Sequence, residues 1–437
     1  MELQNKPESG NMVSKKIKDQ LSKESFLNVL LIILPILFLI YRLVKFFKSG
    51  AFIFPDSNDY LVYAREILRG NFVSPDAKRT PGYPLYIAFS YLLFGHRPDS
   101  VVWLQLVSGI LSQYILIKLL KSLRFSSGII LFVLLLYLLS PLAYIDLNVL
   151  TESFTVLLCL SFFYFLNIYL STRKISFLIL VLISSELLVF TRPQFIIFTI
   201  LAGLFLLYKK EKLLSVSLLV VIIVSSLGWS FVNLEKNKYF GMTSLLGFNL
   251  INHTGYFIEK ERGLNPQLAD IYIKKRNQVE EISQGKQDFT IWECKDEIMK
   301  TEGYNFIDLA RELTRVNIIL ILRHPGSYLS SVSASLYNSV IWAGNYSPAG
   351  YSLRLSSSLM EVIFCSGIIF LILLGGDNLV LLLMKLLFFS NLLFICMMER
   401  GENFRYSIPL LFIVFIYFVP GAYLIFRKKL RVNEILH

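Results

Sequence analysis

The chain has 437 residues, of which 55% are hydrophobic and 17% charged. With a mean hydropathy of +0.59, it carries more apolar residues than a soluble core of this length needs, which excludes an ordinary soluble protein. The formal net charge of +12 does not indicate nucleic-acid binding, because the basic residues are scattered at the ends of apolar runs and form no known reader motif. The sequence therefore predicts an all-α polytopic protein of the cell membrane (inner or plasma).

The apolar runs predict about ten transmembrane helices, at one span per about twenty apolar residues. Residues 1–25 are lysine-rich and predict a cytoplasmic tail. The first run, 26–47, lacks the small-residue cleavage site of a signal peptide, so we expect a retained helix. The other predicted spans are 101–120, 127–147, 152–171, 175–191, 194–208, 213–232, 357–375, 379–398 and 407–426.

Four connections between these spans carry clusters of Lys and Arg on one predicted side of the membrane. By the positive-inside rule, this side is cytoplasmic and holds both termini. Arg42, Lys45 and Lys48 at the other end of the first span oppose this orientation. The basic connections contain Lys118, Lys121 and Arg124; Arg173 and Lys174; Lys209, Lys210 and Lys212; and Arg427, Lys428, Lys429 and Arg431.

The same topology divides the chain into four parts and places most unusual polar clusters outside the cell. The tail, residues 1–25, precedes an N-terminal transmembrane module, 26–232, whose first outer loop, 49–100, is the expected catalytic segment. A long extracytoplasmic loop with interfacial helices follows at 233–356. Residues 357–437 form the C-terminal transmembrane helices and a cytoplasmic tail.

The first outer loop begins with a predicted helix at the membrane surface. Pro55 and Asp56 precede an amphipathic run, so Asp56 is the expected N-cap and Asp59 lies in the first turn. Gly70 predicts the end of the helix. A purely structural role for Asp56 as a cap stays open, because this position strongly favours Asp.

Later in the loop, residues 78–84 read Lys-Arg-Thr-Pro-Gly-Tyr-Pro, a rigid turn that leads back into the membrane. This turn brings Arg79 to the same interface as Asp56. A carboxylate can accept the proton of a hydroxyl nucleophile, and a guanidinium can bind a phosphate through two hydrogen bonds. The pair is suited to transfer from a phosphorylated lipid.

These residues resemble a known family. The pattern Asp56, Tyr60, Ala64, Gly70 and then the turn from Arg79 to Pro84 is similar to membrane-embedded GT-C glycosyltransferases of the aminoarabinose-transferase and protein-O-mannosyltransferase-like group. The resemblance extends along the chain through Thr151-Glu152-Ser153, Arg192-Pro193, Arg400, and Arg405-Tyr406 with Ser407-Ile408-Pro409.

The resemblance implies a GT-C-like fold and a glycosyltransferase of hexosyl or pentosyl type. Its donor would be a polyprenyl-phosphate-linked sugar, and its acceptor a lipid, glycan or protein on the extracytoplasmic face. Asp56 would be the general base of an inverting displacement. Candidates for binding the donor phosphate are Arg79, Arg192, Arg400 and Arg405.

Other residues are candidates for contacts with substrate, namely Asp59, Tyr60, Tyr83 and Glu152. Plainer interpretations stay open for several of these residues. Glu152 fits a helix start, Arg192 fits a helix end at the headgroups, and Arg400 and Arg405 fit a solvated cluster with Glu399 and Glu402. Glu186, inside a predicted span, is either functional or hydrogen-bonded within the bundle.

No cofactor is certain, and a divalent metal stays open with Asp56 as its ligand. Many relatives follow the first-loop Asp with Glu and carry an acid near position 78, where this chain has Ser57 and Lys78. A hard cation normally takes more oxygen ligands than one Asp. His253 and His324 show no ligand-like spacing and are not assigned to a metal.

Two other function classes remain. An outward-facing polysaccharide polymerase or ligase would share lipid-linked substrates and a long outer loop. A transporter or flippase for lipid-linked sugars is expected to show paired half-sequences and charges near the midplane. The early Asp56 and Arg79 pattern favours the glycosyltransferase over the polymerase or ligase, and the crowding of charges at the predicted outer face favours it over the transporter.

Overall fold

The structure, a computed structural model, describes residues 8–282, 289–341, 355–375, 378–400, 405 and 407–435. Within these ranges the chain is helical apart from its connections and one isolated bridge, between Phe52 and Asn148. This confirms the predicted all-α class. The residues whose placement is described form seventeen α-helices in chain order.

The helices have the following bounds. They are α1 Glu8–Ser49, α2 Pro55–Leu68, α3 Gly82–Phe94, α4 Pro98–Ser122, α5 Ser127–Leu139, α6 Glu152–Thr172, α7 Ile175–Thr191, α8 Phe195–Tyr208, α9 Lys212–Asn237, α10 Leu246–Thr254, α11 Pro266–Ile282, α12 Thr290–Glu302, α13 Phe306–Arg323, α14 Pro325–Ile341, α15 Ser357–Leu373, α16 Leu379–Met398 and α17 Leu411–Ile435. Short 3-10 turns lie at Pro75–Ala77, Pro141–Ala143, Ile145–Leu147, Ile258–Leu264 and Ile408–Leu410.

Each of the ten predicted spans corresponds to helix. Six helical segments of the described chain are long and apolar enough to cross a bilayer, in α1, α4, α6, α9, α16 and the 408–426 region. A seventh candidate is α5 with the turns at 141–147, bent by 72°. The remaining three, α7, α8 and α15, are shorter; at about 1.5 Å per residue, the 14 residues of α8 reach about 21 Å, less than a hydrocarbon core of about 30 Å.

Hydrogen bonds between neighbouring helices define two ends of the bundle. At one end, the backbone N–H of Ala51 after α1 donates to Asp99 Oδ1 at the start of α4 (3.2 Å). At the other end, Lys121 of α4 donates to Asn28 Oδ1 of α1 (2.9 Å), and Arg173 pairs with Glu211 (Nη2 to Oε1, 2.8 Å). The second end carries the basic connections and is called the basic end; the first is called the site end.

Arg42, which counted against the predicted orientation, is not a loop charge. Its side chain is fully buried in α1 and forms an ion pair with Asp146, which follows the bend after α5. Because the positive-inside rule concerns basic residues in connections, Arg42 does not bear on the orientation.

Helices α10–α14 occupy the predicted long outer loop. The sequence Arg323-His324-Pro325 predicts a break followed by an interfacial helix to Trp342, because Pro disfavours helical geometry in the residue before it. The chain does break there, since α13 ends at Arg323 and α14 runs from Pro325 to Ile341, and Trp342 itself lies outside the described residues. Asn317 of α13 is buried and donates to the Gly247 carbonyl (2.7 Å), which fixes α13 against α10.

Candidate active site

A cavity of about 380 Å³ opens at the site end of the bundle. One part of its lining is polar and comes from α2, the turn before α3, the start of α6, the end of α7 and the segment before α17. The other part is largely apolar and comes from the connection between α9 and α10 and from α16. The charged wall comprises Asp56, Tyr60, Lys78, Arg79, Thr80, Thr151, Thr191, Arg192 and Arg405; the apolar wall comprises Tyr239, Phe240, Met242, Leu245, Leu246, Phe394, Ile395 and Met398, with Asn249 and Glu399 among them.

Asp56 stands in the first turn of α2, but it is not the N-cap that the sequence predicts. Pro55 takes the first helical position, which its fixed φ favours, and Phe54 becomes the N-cap residue. The Phe54 N–H donates to Ser57 Oγ (2.9 Å), and Ser57 donates to the Val149 carbonyl (2.7 Å). Ser57 thus ties the start of α2 to the segment before α6 and leaves the Asp56 carboxylate for other contacts.

The Asp56 carboxylate lies between two guanidinium groups. Its Oδ1 accepts a hydrogen bond from Arg79 Nη2 at 2.8 Å, and its Oδ2 accepts one from Arg405 Nη2 at 3.1 Å. Arg79 also donates to Asp59 Oδ2 (3.2 Å) and to the Tyr60 hydroxyl (3.1 Å). The structure therefore brings together the first-loop Asp and Arg singled out in the sequence, and joins to them an arginine 349 positions later in the chain.

Glu152, like Asp56, is a carboxylate of the charged wall that lies between two arginines. It is 1% exposed, and its Oε1 accepts hydrogen bonds from Arg405 Nε (2.9 Å) and pairs with Arg192 Nη2 (2.7 Å). Arg192 Nε donates to Thr151 Oγ1 at 2.7 Å. Because a buried carboxylate needs opposite charge and hydrogen bonds to remain ionised, Glu152 does more here than begin a helix.

These contacts form a continuous series of alternating charges, here called the ion-pair ring: Asp59, Arg79, Asp56, Arg405, Glu152 and Arg192. It contains three carboxylates and three guanidinium groups, so its formal charges balance. The members come from five separate parts of the sequence, namely α2, the turn before α3, the start of α6, the end of α7 and the segment before α17. Among the pairs of the ring, that of Arg192 and Glu152 is the most buried, with side chains 6% and 2% exposed; removing one partner of a buried pair leaves an uncompensated charge and typically costs about 3–5 kcal/mol.

A close approach of backbones holds the Arg79 turn against the Arg192 turn. At Gly82, a Cβ atom would lie 2.5 Å from the carbonyl carbon of Phe190 and 2.6 Å from the N of Thr191. Only glycine allows α3 to begin this near the end of α7. The glycine of the Thr-Pro-Gly-Tyr-Pro motif therefore sets the separation of two arginines of the ring.

The two predicted tyrosines lie at different depths. Tyr60 lines the cavity beneath Arg79, whose guanidinium lies 4.6 Å from the ring centroid, a cation–π geometry. Tyr83 is fully buried and packs edge-on against Tyr60 at 5.1 Å between centroids. Tyr83 is thus placed to support Tyr60 and does not line the cavity.

Arg400 points elsewhere. Its Nη1 donates to Ser331 Oγ of α14 (2.9 Å), and its guanidinium stacks 3.5 Å over the Tyr256 ring. Ser331 also bonds to Nδ1 of the buried His253 (2.9 Å). Burial and the nearby Arg400 lower the pKa of His253 to about 4, so this histidine is neutral at physiological pH. Arg400 is not part of the cavity lining.

The lining residues that were not selected from the sequence include the polar side chains of Lys78, Asn249 and Glu399. Lys78 directly precedes Arg79; its Nζ lies 4.3 Å from the Phe306 ring centroid, and no carboxylate of the described residues lies within ion-pair distance of it. Asn249 presents an amide from α10, and Glu399 accepts from Asn252 Nδ2 (2.8 Å). The position of Lys78 inside the 78–84 turn was the available signal.

The ring holds Asp56 in its ionised form. Burial favours the neutral acid, but the Coulombic attraction of Arg79 and Arg405, and their hydrogen bonds, outweigh burial and lower the pKa of Asp56 below its usual value of 3.8. A proton acceptor must be deprotonated before the reaction. Asp56 meets this requirement at neutral pH.

The described residues do not include a group of three or more His, Cys, Asp or Glu side chains arranged to hold a metal ion. The nearest acidic neighbours of Asp56 in the ring, Asp59 and Glu152, are turned to arginines. Glu186 lies in α7 near Ser225 of α9 and does not line the cavity.

No family model matches the chain, and the search of curated proteins finds no match. A similar solved structure is that of ArnT from Cupriavidus metallidurans bound to undecaprenyl phosphate, with 14% sequence identity and a TM-score of 0.37. The similarity covers 88% of this chain and 76% of that chain.

Proposed function

We propose that this chain is an integral-membrane glycosyltransferase that moves a sugar from a polyprenyl-phosphate-linked donor to an acceptor on the extracytoplasmic face. The observation that carries the proposal is the position of Asp56, ionised and bridging Arg79 and Arg405 in an open cavity with an adjoining apolar wall. A proton acceptor, several cations and apolar surface are what a phosphorylated lipid donor requires.

In the proposed step, Asp56 accepts the proton of the acceptor hydroxyl or amine. The acceptor atom forms a bond to the anomeric carbon, while the bond from this carbon to the phosphate oxygen breaks. The electron pair of the broken bond stays on the oxygen, which leaves as polyprenyl phosphate. A general base at such a position typically contributes about 10²- to 10⁴-fold to the rate.

The cations of the charged wall would stabilise the departing phosphate. Arg79, Arg192 and Arg405 already hold carboxylates, whereas Lys78 has no carboxylate of the described residues within ion-pair distance. Lys78 is therefore the first cation we assign to the donor phosphate, with Arg79 and Arg405 joining it as they exchange Asp56 for the ligand. Positive charge placed where negative charge develops is commonly the largest single contribution to catalysis.

The proposal is tested by replacing Asp56 with Asn. In Asp56→Asn the proton acceptor is lost, so we expect transfer from a labelled polyprenyl-phosphate sugar to fall by about 10²- to 10⁴-fold. Arg79 would keep Asp59 and Arg405 would keep Glu152 as acidic partners, so we expect the protein to express and melt nearly as the wild type does. Activity is measured with purified protein in detergent.

Glu66→Gln is the matched control. Glu66 lies in the same helix, α2, and bonds to Arg69 and Asn71 outside the cavity, so this variant should retain full activity. Undiminished transfer by Asp56→Asn would remove Asp56 from catalysis. Repeated addition of sugars to a growing glycan would favour the polymerase alternative, and a wild-type protein that neither transfers nor hydrolyses the donor would favour a transporter.

A further inference from the structure

A second buried ion pair lies outside the cavity, beneath the ion-pair ring. Arg42 of α1 pairs through Nη1 with Asp146 Oδ2, and the two side chains are 0% and 2% exposed. Ser153, next to Glu152 in α6, donates its hydroxyl to the other Asp146 oxygen. The pair therefore joins the first helix of the chain to the residue beside Glu152 of the ring.

Helix α4 leaves space for this pair at one position. A Cβ atom at Gly109 would lie 2.0 Å from Asp146 Oδ2 and 2.7 Å from Arg42 Nη1. Any other residue at 109 would therefore displace the two charged groups. The glycine and the ion pair fit together as one arrangement.

Asp146 belongs to a segment, residues 145–151 and here called the strap, that contacts the neighbour of Asp56, Ser57, and directly precedes Glu152. On one side, Phe52 donates to the Leu147 carbonyl and Val149 donates to the Phe52 carbonyl, both at 3.0 Å. Ser57, beside Asp56, donates to the Val149 carbonyl. At its end the strap leads directly into Glu152.

A second anchor comes from α4. Gln105 is fully buried, and its Nε2 donates to the carbonyls of Asn148 (3.0 Å) and Leu150 (3.1 Å). Gln105 and the Arg42 pair thus hold the strap at several points along seven residues. The strap in turn fixes the start of α2 and the start of α6, which carry the two carboxylates that Arg405 bridges.

A buried ion pair is weak evidence for stability, because apolar residues of similar volume often serve as well. Asp146 is part of the strap, Arg42 pairs with it, and neither residue lines the cavity. We therefore infer that Arg42 and Asp146 are positioning residues for the reaction. They set the distance between Asp56 and Glu152, and through it the position of Arg405. This inference rests on the proposed function.

The test compares a single and a double variant. Asp146→Asn leaves Arg42 buried without its counter-charge, so we expect a lower melting temperature and a lower kcat. In Arg42→Met with Asp146→Leu, two apolar residues replace the pair, so the melting temperature should recover. The strap would no longer be held in place by Asp146, so kcat should stay about 100-fold below wild type, as expected for a misplacement of about 1 Å.

Donor binding should change less than turnover. Lys78 and Arg79 are held from the α9–α10 connection, where Thr243 Oγ1 donates to the Lys78 carbonyl (2.7 Å), and not from the strap. We therefore expect the donor KM, and the thermal shift produced by undecaprenyl phosphate, to change less than about threefold in the double variant, against a roughly 100-fold change in kcat. The single variant Arg42→Lys keeps the positive charge, so its kcat should lie between that of the double variant and that of the wild type.

The matched control removes an ion pair at the basic end. Glu211→Gln breaks the Arg173 pair far from the strap and should leave kcat unchanged. A double variant with wild-type kcat would overturn the inference, because the pair would then be structural only.

If the wild type binds undecaprenyl phosphate but transfers no sugar, the proposed function fails. The positional part of the inference is then decided by hydrogen exchange in residues 145–157. We expect faster exchange there in the double variant at matched melting temperature, and unchanged exchange would overturn the inference.

Discussion

Asp56 is held by the same guanidinium groups that a phosphate would bind. In the free protein, Arg79 and Arg405 keep its pKa low, which makes it ionised but weakly basic. A donor phosphate that takes over part of either guanidinium weakens that attraction, so the pKa of Asp56 rises. Binding of the donor would thus make the base stronger at the moment it is needed.

This exchange of ligands predicts that kcat/KM and kcat begin to fall at different pH values on the acid side. The acid limb of kcat/KM follows the free protein, and we expect it below pH 3.8, because the free Asp56 remains ionised down to its lowered pKa. The acid limb of kcat follows the complex and should lie at higher pH. Profiles of both quantities between about pH 3 and 8 check this; coinciding limbs would show that the phosphate leaves both arginines on Asp56.

The same lowered pKa has a defined effect on folding. Because the folded pKa of Asp56 lies below the unfolded one, its ion pairs stabilise the native state above the unfolded pKa of about 3.8. That contribution is lost as the pH falls through the folded value. Unfolding is therefore measured at the same acid pH values as kcat and kcat/KM, so that loss of the native state is separated from protonation of Asp56.

At the scale of residues, the sequence predicts the partners more readily than their pairing. Asp56 and Arg79 fall in one loop, so their meeting at one interface could be expected. The contact between Glu152 and Arg405 spans 253 positions, and only the packing of α6 against the chain near α17 brings them together. Lys78 was missed because its position inside the 78–84 turn, the available signal, does not show which way the side chain points or that no carboxylate of the described residues pairs with it.

At the scale of elements, the segment before α3 is held by the connection that forms the apolar wall. Ser244 donates from its N–H to the Ala77 carbonyl (2.9 Å) and from its hydroxyl to the Asp76 carbonyl (2.7 Å). Asn237 adds a bond to the Ser74 carbonyl (3.2 Å). Asp76 and Ala77 have positive φ angles of 56° and 50°, which these bonds help to maintain.

Removing the side-chain hydrogen bonds of Thr243 and Ser244 should loosen both the segment before α3 and the connection between α9 and α10. In Thr243→Val with Ser244→Ala, the side-chain donors to the Lys78 and Asp76 carbonyls are lost while the side-chain volumes are nearly kept. We expect hydrogen exchange in peptides covering 74–80 and 239–249 to rise by about fivefold, as a loss of about 1 kcal/mol implies. Exchange equal to wild type would show that backbone bonds alone hold the two segments.

The elements themselves were largely predictable, since long apolar runs and Pro and Gly positions determine them. The predicted N-cap of α2, Asp56, was wrong by two positions, because Pro55 occupies the first helical position and leaves Phe54 as the N-cap. The bend after α5 lies at Ser140-Pro141, inside the predicted span 127–147. Pro141 was the available signal, because Pro disfavours helical geometry in the residue before it, but the apolar residues on both sides of it led us to predict one span.

At the scale of the whole molecule, the two ends differ in charge and in content. The basic end carries the Lys and Arg connections, and the site end carries the cavity. The positive-inside rule predicts that the site end lies outside the cell. This orientation, which the bundle alone does not determine, is a separate prediction.

Single cysteines at exposed positions test the orientation. Asn58 is exposed in α2 at the site end, and Arg124 is exposed after α4 at the basic end. In Asn58→Cys, a membrane-impermeant thiol reagent should label intact cells, whereas Arg124→Cys should be labelled only after permeabilisation. The four native cysteines are first replaced to remove background labelling. The opposite pattern would invert the topology and place the cavity in the cytoplasm.

The balanced charges of the ion-pair ring have a consequence for turnover. Transfer converts a phosphodiester of charge −1 into a monoester whose second pKa is about 6, so the product approaches −2. At the same time Asp56 takes up one proton, and the total charge of ring and ligand stays constant through the step. Once Asp56 releases that proton to solvent, the carboxylate again competes with the product phosphate for Arg79 and Arg405. Proton loss from Asp56 would thereby drive departure of the spent lipid and reset the site.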